Sequence, residues 1–336
     1  MPASKTKAAL FYNYPSALEG EVFGQGRRER IAALTDLYPH VVDAGNFDEH
    51  APHLADVEAI FATWGMMDFT AAQRAKLPKL KAVFYAAGNV KAFASSLIDN
   101  GIILVSAWAI NAIPPAEMCF AQILLSLRGY FRTVRQYRAV QSFGARKYWR
   151  PGVKDETVGL IGLGYIGSLV RQKLRDYPLR VIAHDPFLTK ERATELDVTA
   201  VSLEDLFAKS YIVSNHIPDL PTTRGVLDRK LFASLREGAT FINTGRGAQV
   251  LEADMIAVLK KRPDVTALLD VTAPEPPAPD SELWRLPNVI ISPHIGGTTG
   301  HEVVRLADCA IEEFEAWRAG KPLRYQVTQD VFRTMG

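Results

Sequence analysis

The sequence predicts an α/β protein with two doubly wound parallel sheets. Short runs rich in Val, Ile and Phe recur along the 336 residues, and segments of helical period separate them. A pair of prolines, Pro114 and Pro115, divides these runs into a smaller and a larger set. The length suits two domains, and 48% hydrophobic with 23% charged residues is typical of globular chains.

The first set of runs predicts a small parallel sheet. Its strands are almost wholly apolar, as expected of strands buried on both faces. The candidates are 8–13, 59–64, 81–86 and 102–106, with a weaker one near Val41.

The proline pair predicts the start of a long helix. Two prolines begin a helix more readily than they sit inside one, and Glu117 falls in the first turn, where a carboxylate suits the helix dipole. Apolar residues then recur at helical spacing to Leu127, and we expect the helix to continue to Tyr137.

The second set of runs predicts a full nucleotide-binding sheet. It has seven candidate strands, at 158–161, 180–184, 198–201, 211–216, 240–244, 267–271 and 289–292. A helix with an apolar face over 303–314 follows and ends at Gly320. Because the tail has no sheet of its own, we expect it to return to the first domain, giving domains 1–112 with 300–336 and 113–299.

Charge and composition exclude several classes of protein. Lys+Arg 39 against Asp+Glu 37 leaves a net charge of +2, so neither nucleic-acid nor membrane-surface binding is indicated. No export signal is visible, and the apolar runs look too short for a membrane helix. Cys119 and Cys309 are the two cysteines, which we expect to be reduced in a cytoplasmic protein. The seven histidines show no metal-ligand spacing, so no metal is expected.

A glycine-rich motif predicts dinucleotide binding. Gly162, Gly164 and Gly167 follow a buried strand and open a helix, which allows a tight turn, close approach of a pyrophosphate and close helix packing. Asp185, at the end of the next strand, can bind both ribose hydroxyls and would repel a 2′-phosphate. The motif therefore favours NAD over NADP, although a strand, turn and helix without a ligand can show the same glycines.

Three ionisable residues stand just beyond predicted strands and predict an acid–base site. Arg246, Glu275 and His294 would meet at the carboxyl edge of a parallel sheet, where ligands bind. Taken singly, each has a structural reading: a surface charge, a loop acid and a structural histidine. Together they suit hydride transfer at C2 of a 2-oxo or 2-hydroxy acid. His294 would move the proton, Glu275 would orient the imidazole, and Arg246 would hold the carboxylate.

These motifs resemble those of the D-isomer-specific 2-hydroxyacid dehydrogenases over nearly the whole chain. The resemblance rests on Gly-Leu-Gly-Tyr-Ile-Gly at 162–167, Asp-Pro at 185–186, His-Ile-Pro at 216–218, Thr-Thr-Arg-Gly at 222–225, Asn-Thr-Gly-Arg-Gly at 243–247, Asp-Val at 270–271, Glu-Pro at 275–276 and Ser-Pro-His-Ile-Gly-Gly at 292–297. One departure lies at 85–90, where the loop keeps a single glycine and lacks the acid usual in the family.

The resemblance implies a Rossmann NAD-binding domain, a smaller flavodoxin-like substrate domain and a homodimer that exchanges the helix at Pro115 and the arm 132–150. It implies a catalytic triad of Arg246, Glu275 and His294, with Asp270 facing the nicotinamide carboxamide. It also implies a substrate loop at Ala87, Gly88 and Asn89 that donates N–H groups, together with Arg246. Further NAD contacts are implied at Tyr165, Ile166, Pro218, Thr223, Thr244, Gly245 and Gly297.

The leading hypothesis is an NAD-dependent oxidoreductase that interconverts small 2-oxo and D-2-hydroxy acids. Formate dehydrogenases of the same fold carry a glutamine where Glu275 stands, which disfavours that reading. An NAD(H)-sensing protein like the C-terminal-binding corepressors is the alternative; binding of NADH without turnover would favour it. Four aromatic residues are candidate pocket walls or, equally, ordinary core residues: Trp64, Tyr85, Trp108 and Trp149.

Overall fold

A computed structural model of the chain describes residues 5–13, 22–144 and 150–335. It divides into two compact units, Met1–Ala112 with Thr298–Gly336, and Ile113–Gly297. We call these unit 1 and unit 2. Both are built on a parallel sheet with helices, so the predicted fold class is confirmed. Trp149 and part of the predicted arm 132–150 lie outside the described residues.

Unit 1 contains a five-stranded parallel sheet of order β2-β1-β3-β4-β5. The weak candidate near Val41 is the edge strand β2, and β3 and β4 are buried along their whole length. The strands are β1 (Lys7–Phe11), β2 (Asp36–Val42), β3 (Ala59–Ala62), β4 (Ala82–Tyr85) and β5 (Ile103–Ser106). The first helices of this unit are α1 (Arg27–Leu34), α2 (Phe47–His50), α3 (Ala71–Ala75), α4 (Ala94–Ile98) and α5 (Trp108–Asn111).

Unit 2 contains the predicted seven strands, all parallel, in the order β12-β11-β10-β9-β6-β7-β8. The strands are β6 (Thr157–Ile161), β7 (Arg180–His184), β8 (Thr199–Ala200), β9 (Ile212–Asn215), β10 (Thr240–Asn243), β11 (Thr266–Leu269) and β12 (Val289–Ile291). Its helices are α6 (Ile113–Leu127), α7 (Tyr130–Val140), α8 (Tyr165–Lys173), α9 (Lys190–Leu196), α10 (Leu203–Lys209), α11 (Arg229–Ala233) and α12 (Glu252–Lys261).

The single long helix predicted from Pro115 to Tyr137 is wrong. One helix ends at Leu127 and the next begins at Tyr130. Gly129, between them, has a left-handed φ of 63°. The two helices differ in burial: α6 places Ala116, Ile123 and Leu127 in the core of unit 2, whereas α7 has no fully buried residue. The break therefore separates a core helix from a surface helix.

The expectation that no apolar segment is long enough for a membrane helix also needs correction. Among the residues described, the helical stretch Trp108–Leu127 is long and apolar enough, by length and composition, to cross a membrane. Core helices pass the same test.

The C-terminal segment supplies two further helices to unit 1, α13 (Val304–Arg318) and α14 (Gln329–Thr334). The apolar face predicted for α13 is buried. Phe314 is its central residue: its ring lies 5.1 Å from that of Phe61 and 5.5 Å from that of Phe84, both on strands of the sheet. Gly320, with φ 64°, follows the helix.

We expect Phe314→Ala to lower the free energy of unfolding by about 3–5 kcal/mol, because it removes a fully buried ring and leaves a cavity. Phe187→Ala is the matched control, since that ring is 82% exposed, and should change stability by about 0.5 kcal/mol or less. Urea unfolding measures both. Equal midpoints for the two variants would contradict this placement of α13.

Candidate active site

The candidate site of unit 2 lies at the carboxyl edge of its sheet. In a parallel sheet all strands end at the same edge, and β10, β11 and β12 are neighbours. Arg246 follows β10, Glu275 follows β11 and His294 follows β12. The topology therefore brings the three predicted catalytic residues to one edge of one sheet.

The glycine-rich turn has the shape that a dinucleotide pyrophosphate needs. Gly162 has φ 85°, and a Cβ at Gly167 would lie 2.1 Å from the carbonyl oxygen of Gly162, so helix α8 starts close against the turn. A Cβ at Gly164, by contrast, would meet nothing within 4 Å. The turn thus leaves open space above the N-terminus of α8, where N–H groups are available to an anion.

Asp185 is tied to this turn. Its Oδ2 accepts a hydrogen bond from the Leu163 N–H at 2.7 Å, and its Oδ1 accepts one from the Phe187 N–H at 2.8 Å. The carboxylate at the end of β7 is thereby fixed beside the glycines. This position fits a ribose, because each carboxylate oxygen keeps capacity for a further hydrogen bond.

The remaining predicted cofactor residues lie on the same edge of the sheet. Tyr165 and Ile166 begin α8, and Pro218 and Thr223 lie in the loop after β9. The Thr223 hydroxyl donates to the Pro218 carbonyl at 2.6 Å and shapes that loop. Their contacts with NAD stay predictions.

Thr244, Gly245 and Gly297 complete that set. The Thr244 hydroxyl lies 2.8 Å from the Cys119 Sγ on α6, and burial raises the pKa of this thiol to about 11. Cys119 is therefore a protonated core residue. A Cβ at Gly297 would meet nothing within 4 Å, which again leaves space beside the backbone.

Asp270 has a role in the structure that the sequence did not reveal. This carboxylate is only 3% exposed. Its Oδ1 accepts from the Ser292 hydroxyl at 2.5 Å and the Ile295 N–H at 3.0 Å, and its Oδ2 accepts from the Gly296 N–H at 2.8 Å. Asp270 therefore holds the loop after β12, and its predicted contact with the nicotinamide carboxamide stays a prediction.

His294 is held in an unusual backbone conformation by this loop. Its φ is 53°, in the left-handed region, and its N–H donates to the main-chain carbonyls of Asp270 and Ser292, each at 3.0 Å. The imidazole Nδ1 lies 2.5 Å from Glu275 Oε1. This contact occupies Nδ1 and leaves Nε2 as the other ring nitrogen; proton exchange at Nε2 stays a prediction.

Arg246 is partly buried, and its guanidinium donates to the Gly245 carbonyl at 2.7 Å. The sequence analysis missed two buried amides here: Gln249 accepts from the Arg246 N–H, and Asn215 donates to Gln249. Their local sequence signals are weak: a polar residue at the end of one apolar strand and another between Ala248 and Val250.

The ring nitrogens of His216 lie in the interior of unit 2, and the residue has a structural role. Both ring nitrogens are buried and have no hydrogen-bond partner among the residues described. Its Cδ2 would lie 3.6 Å from a Cβ at Gly167, so the ring lies under the glycine-rich turn. Burial lowers the pKa of His216 from 6.5 to about 4, and the imidazole is neutral at pH 7.

In unit 1, the predicted substrate loop follows β4. The Ser106 hydroxyl lies 2.8 Å from the Ala87 carbonyl oxygen and 2.7 Å from that of Gly88, which anchors the loop. The Asn89 side chain accepts from the Lys91 N–H at 2.8 Å. In the described chain, no main-chain carbonyl accepts from the N–H groups of residues 87–89. Their predicted contact with a substrate carboxylate stays a prediction.

The aromatic pocket-wall candidates differ in burial. Tyr85 is 5% exposed and its ring lies 4.9 Å from that of Phe93 in the core of unit 1, which fits the core interpretation of the two that the sequence left open. Trp64 is partly buried against the same core, and the Trp108 ring lies 6.0 Å from that of Tyr325. Within the described ranges, no group of three or more His, Cys, Asp or Glu side chains could hold a metal ion.

Comparison with known proteins identifies the fold and the family. Residues 120–296 match the family model of the D-isomer specific 2-hydroxyacid dehydrogenase, NAD binding domain. D-3-phosphoglycerate dehydrogenase of Archaeoglobus fulgidus is 31% identical over 229 residues, which is 68% of this chain and 43% of that protein. The Mycobacterium bovis enzyme of the same name is 31% identical over 256 residues, 74% of this chain and 47% of that protein. The matched region thus covers less than half of either relative.

A solved structure, apo D-mandelate dehydrogenase of Rhodotorula graminis, has the same fold. Its TM-score is 0.79 at 20% identity, and the superposition covers 97% of this chain and 98% of that one.

The buried His216 predicts a pH dependence of stability. Because the pKa is lower in the folded than in the unfolded protein, the unfolded chain binds more protons between pH 6.5 and 4. Stability is therefore lost as the pH falls through this range, by up to about 3 kcal/mol from His216. Between pH 7 and pH 4, the unsubstituted protein should lose about 3 kcal/mol more unfolding free energy than the His216→Leu variant, which has no imidazole to protonate. A constant difference between the two proteins would contradict the burial of a neutral imidazole.

Proposed function

The chain belongs to the D-isomer-specific 2-hydroxyacid dehydrogenase family, and we propose that it interconverts a small 2-oxo acid and its D-2-hydroxy acid with NAD as cofactor. The observation that carries the proposal is the contact of His294 Nδ1 with Glu275, on a sheet edge that also carries Arg246. An imidazole paired with a carboxylate at a cofactor edge is suited to moving one proton to or from a substrate oxygen.

His294 is the proposed acid and base. With Nδ1 bonded to Glu275, Nε2 is the ring nitrogen that can protonate the carbonyl oxygen of a 2-oxo acid. In the reverse direction the neutral Nε2 accepts the hydroxyl proton. Glu275 fixes the ring orientation, as expected of a carboxylate behind a catalytic histidine.

Arg246 is the proposed carboxylate ligand. Its forked donors can bind one carboxylate oxygen and polarise the carbonyl at C2. The N–H groups of residues 87–89, from which no main-chain carbonyl accepts in the described chain, are proposed as further substrate-binding donors.

The glycine-rich turn and Asp185 are the proposed cofactor site. Bound NADH supplies the hydride that reduces C2. The open space at Gly164 suits the pyrophosphate, and the fixed Asp185 carboxylate suits the ribose hydroxyls and disfavours NADPH.

The substrate range is proposed from the relatives. Two are named D-3-phosphoglycerate dehydrogenases, and a protein of the same fold is a D-mandelate dehydrogenase. A panel of glyoxylate, hydroxypyruvate, 3-phosphohydroxypyruvate, pyruvate and phenylpyruvate, followed by NADH absorbance at 340 nm, therefore tests acids of small, phosphorylated and aromatic side chains. Binding of NADH with no turnover on any 2-oxo acid would support the corepressor-like alternative.

A homodimer and a cytoplasmic location are further parts of this proposal. Helix α7 presents half-exposed apolar side chains to solvent, at Tyr130, Val134, Tyr137 and Val140.

Cys119 and Cys309 are free and buried, which supports a reducing compartment. The small net charge of +2 supports an acid of low mass, and not a nucleic acid, as the ligand.

We expect His294→Gln to lower kcat by about 10²- to 10⁴-fold, because glutamine cannot exchange a proton. The Kd of NADH, measured by fluorescence titration, should change less than about twofold. His53→Gln, at an exposed histidine of unit 1, is the matched control and should keep full activity. A His294→Gln protein with near-normal turnover would refute the mechanism.

We expect sedimentation velocity at micromolar concentration to give twice the chain mass of 37.1 kDa. Val134→Asp should shift the protein toward the monomer, because it places a charge on the apolar face of α7. Phe187→Asp, at an exposed ring outside α7, should leave the mass unchanged. A monomeric unsubstituted protein would overturn the proposed dimer.

A further inference from the structure

A buried cluster of three amide side chains lies beneath the loop that carries Arg246. Asn215 ends β9, Asn243 ends β10, and Gln249 lies in the short turn Gly247–Gln249. Each is at most 1% exposed. Side chains this polar are rarely buried unless hydrogen bonds satisfy them, so the contacts they make are informative.

The cluster is connected through Asn215. Its Nδ2 donates to Asn243 Oδ1 at 3.0 Å and to Gln249 Oε1 at 3.1 Å. One amide group thus joins the side chains at the ends of two neighbouring strands to the turn that follows them.

The cluster holds the main chain of Arg246 on both sides. The Arg246 N–H donates to Gln249 Oε1 at 3.1 Å, and the Arg246 carbonyl accepts from Asn243 Nδ2 at 3.0 Å. The preceding N–H, of Gly245, donates to Asn243 Oδ1 at 3.1 Å. These bonds fix the extended backbone of Arg246, with φ −141° and ψ 151°, and hence the direction in which its side chain leaves the loop.

One buried donor of the cluster lowers the stability of the folded protein. Gln249 Nε2 is buried and has no hydrogen-bond partner among the described residues. An apolar pair at positions 215 and 249 would avoid this orphan donor, but it would leave the Arg246 N–H without its acceptor. The amides therefore hold the main chain of Arg246 although one donor stays unpaired, as expected of residues that orient a ligand-binding side chain.

We propose that Asn215 and Gln249 are positioning residues that set the orientation of Arg246 toward the substrate carboxylate. This inference rests on the proposed function, in which Arg246 binds that carboxylate. Neither amide contacts the substrate in this account: Gln249 acts through the N–H of Arg246, and Asn215 acts by holding Gln249 and Asn243.

Single and double apolar variants separate positioning from stability. Gln249→Leu leaves Asn215 Nδ2 and the Arg246 N–H without this acceptor, and we expect a lower Tm and a KM for the 2-oxo acid about tenfold higher. The double variant Asn215→Leu with Gln249→Leu also removes the orphaned Asn215 Nδ2, so its Tm should lie above that of Gln249→Leu. Its raised KM should persist, because the Arg246 N–H still lacks its acceptor. The Kd of NADH should stay within about twofold in both proteins. A double variant that regained normal KM together with its Tm would overturn the inference.

Amide hydrogen exchange gives a readout that needs no turnover. The peptide spanning 243–249 should exchange about tenfold faster in Gln249→Leu, because the Arg246 N–H loses its acceptor. Unchanged exchange of that peptide would also overturn the inference. If the unsubstituted protein turned over no 2-oxo acid, that result would contradict the proposed function. Faster exchange in Gln249→Leu would still support the hydrogen bond that fixes the Arg246 main chain.

Discussion

The arrangement of the site depends on one buried carboxylate. Asp270 stands at the end of β11, between the strands that lead to Arg246 and His294. A charge removed from water is costly unless donors surround it, and the Ser292 hydroxyl and the N–H groups of Ile295 and Gly296 supply them. Because these donors lie in the loop after β12, their hydrogen bonds to Asp270 bring that loop back over β11. That folding places His294 in its left-handed conformation with Nδ1 against Glu275.

The same logic recurs along the sheet edge, where buried polar side chains hold loops that would otherwise be mobile. Asp185 ties the end of β7 to the glycine-rich turn, and Asn215, Asn243 and Gln249 hold the main chain of Arg246. Rigid parallel strands determine where each loop begins, and these hydrogen bonds determine how its functional side chain is directed. In this account, the placement of His294 and Arg246 depends on buried polar side chains that hold the main chain of their loops.

Local patterns predicted most of the fold and the chemically distinctive part of the site. Apolar runs identified the strands of both sheets, because strands buried on two faces are apolar throughout. The break at Gly129 was missed because the apolar spacing continues past it, and a single glycine does not end a helix by itself. Asn215 and Gln249 were missed because the hydrogen bonds between them join residues 34 positions apart, and local spacing cannot reveal such a contact. The sequence left two interpretations of Tyr85 open because its burial against Phe93 is a tertiary property.

Transfer of label from deuterated NADH tests the central claim most directly. The protein is incubated with a 2-oxo acid and NADH that carries deuterium at the transferable position of C4, and the product is analysed by mass spectrometry and chiral chromatography. The account predicts one deuterium at C2 of a hydroxy acid of D configuration. A product without the label, or one of L configuration, would contradict it.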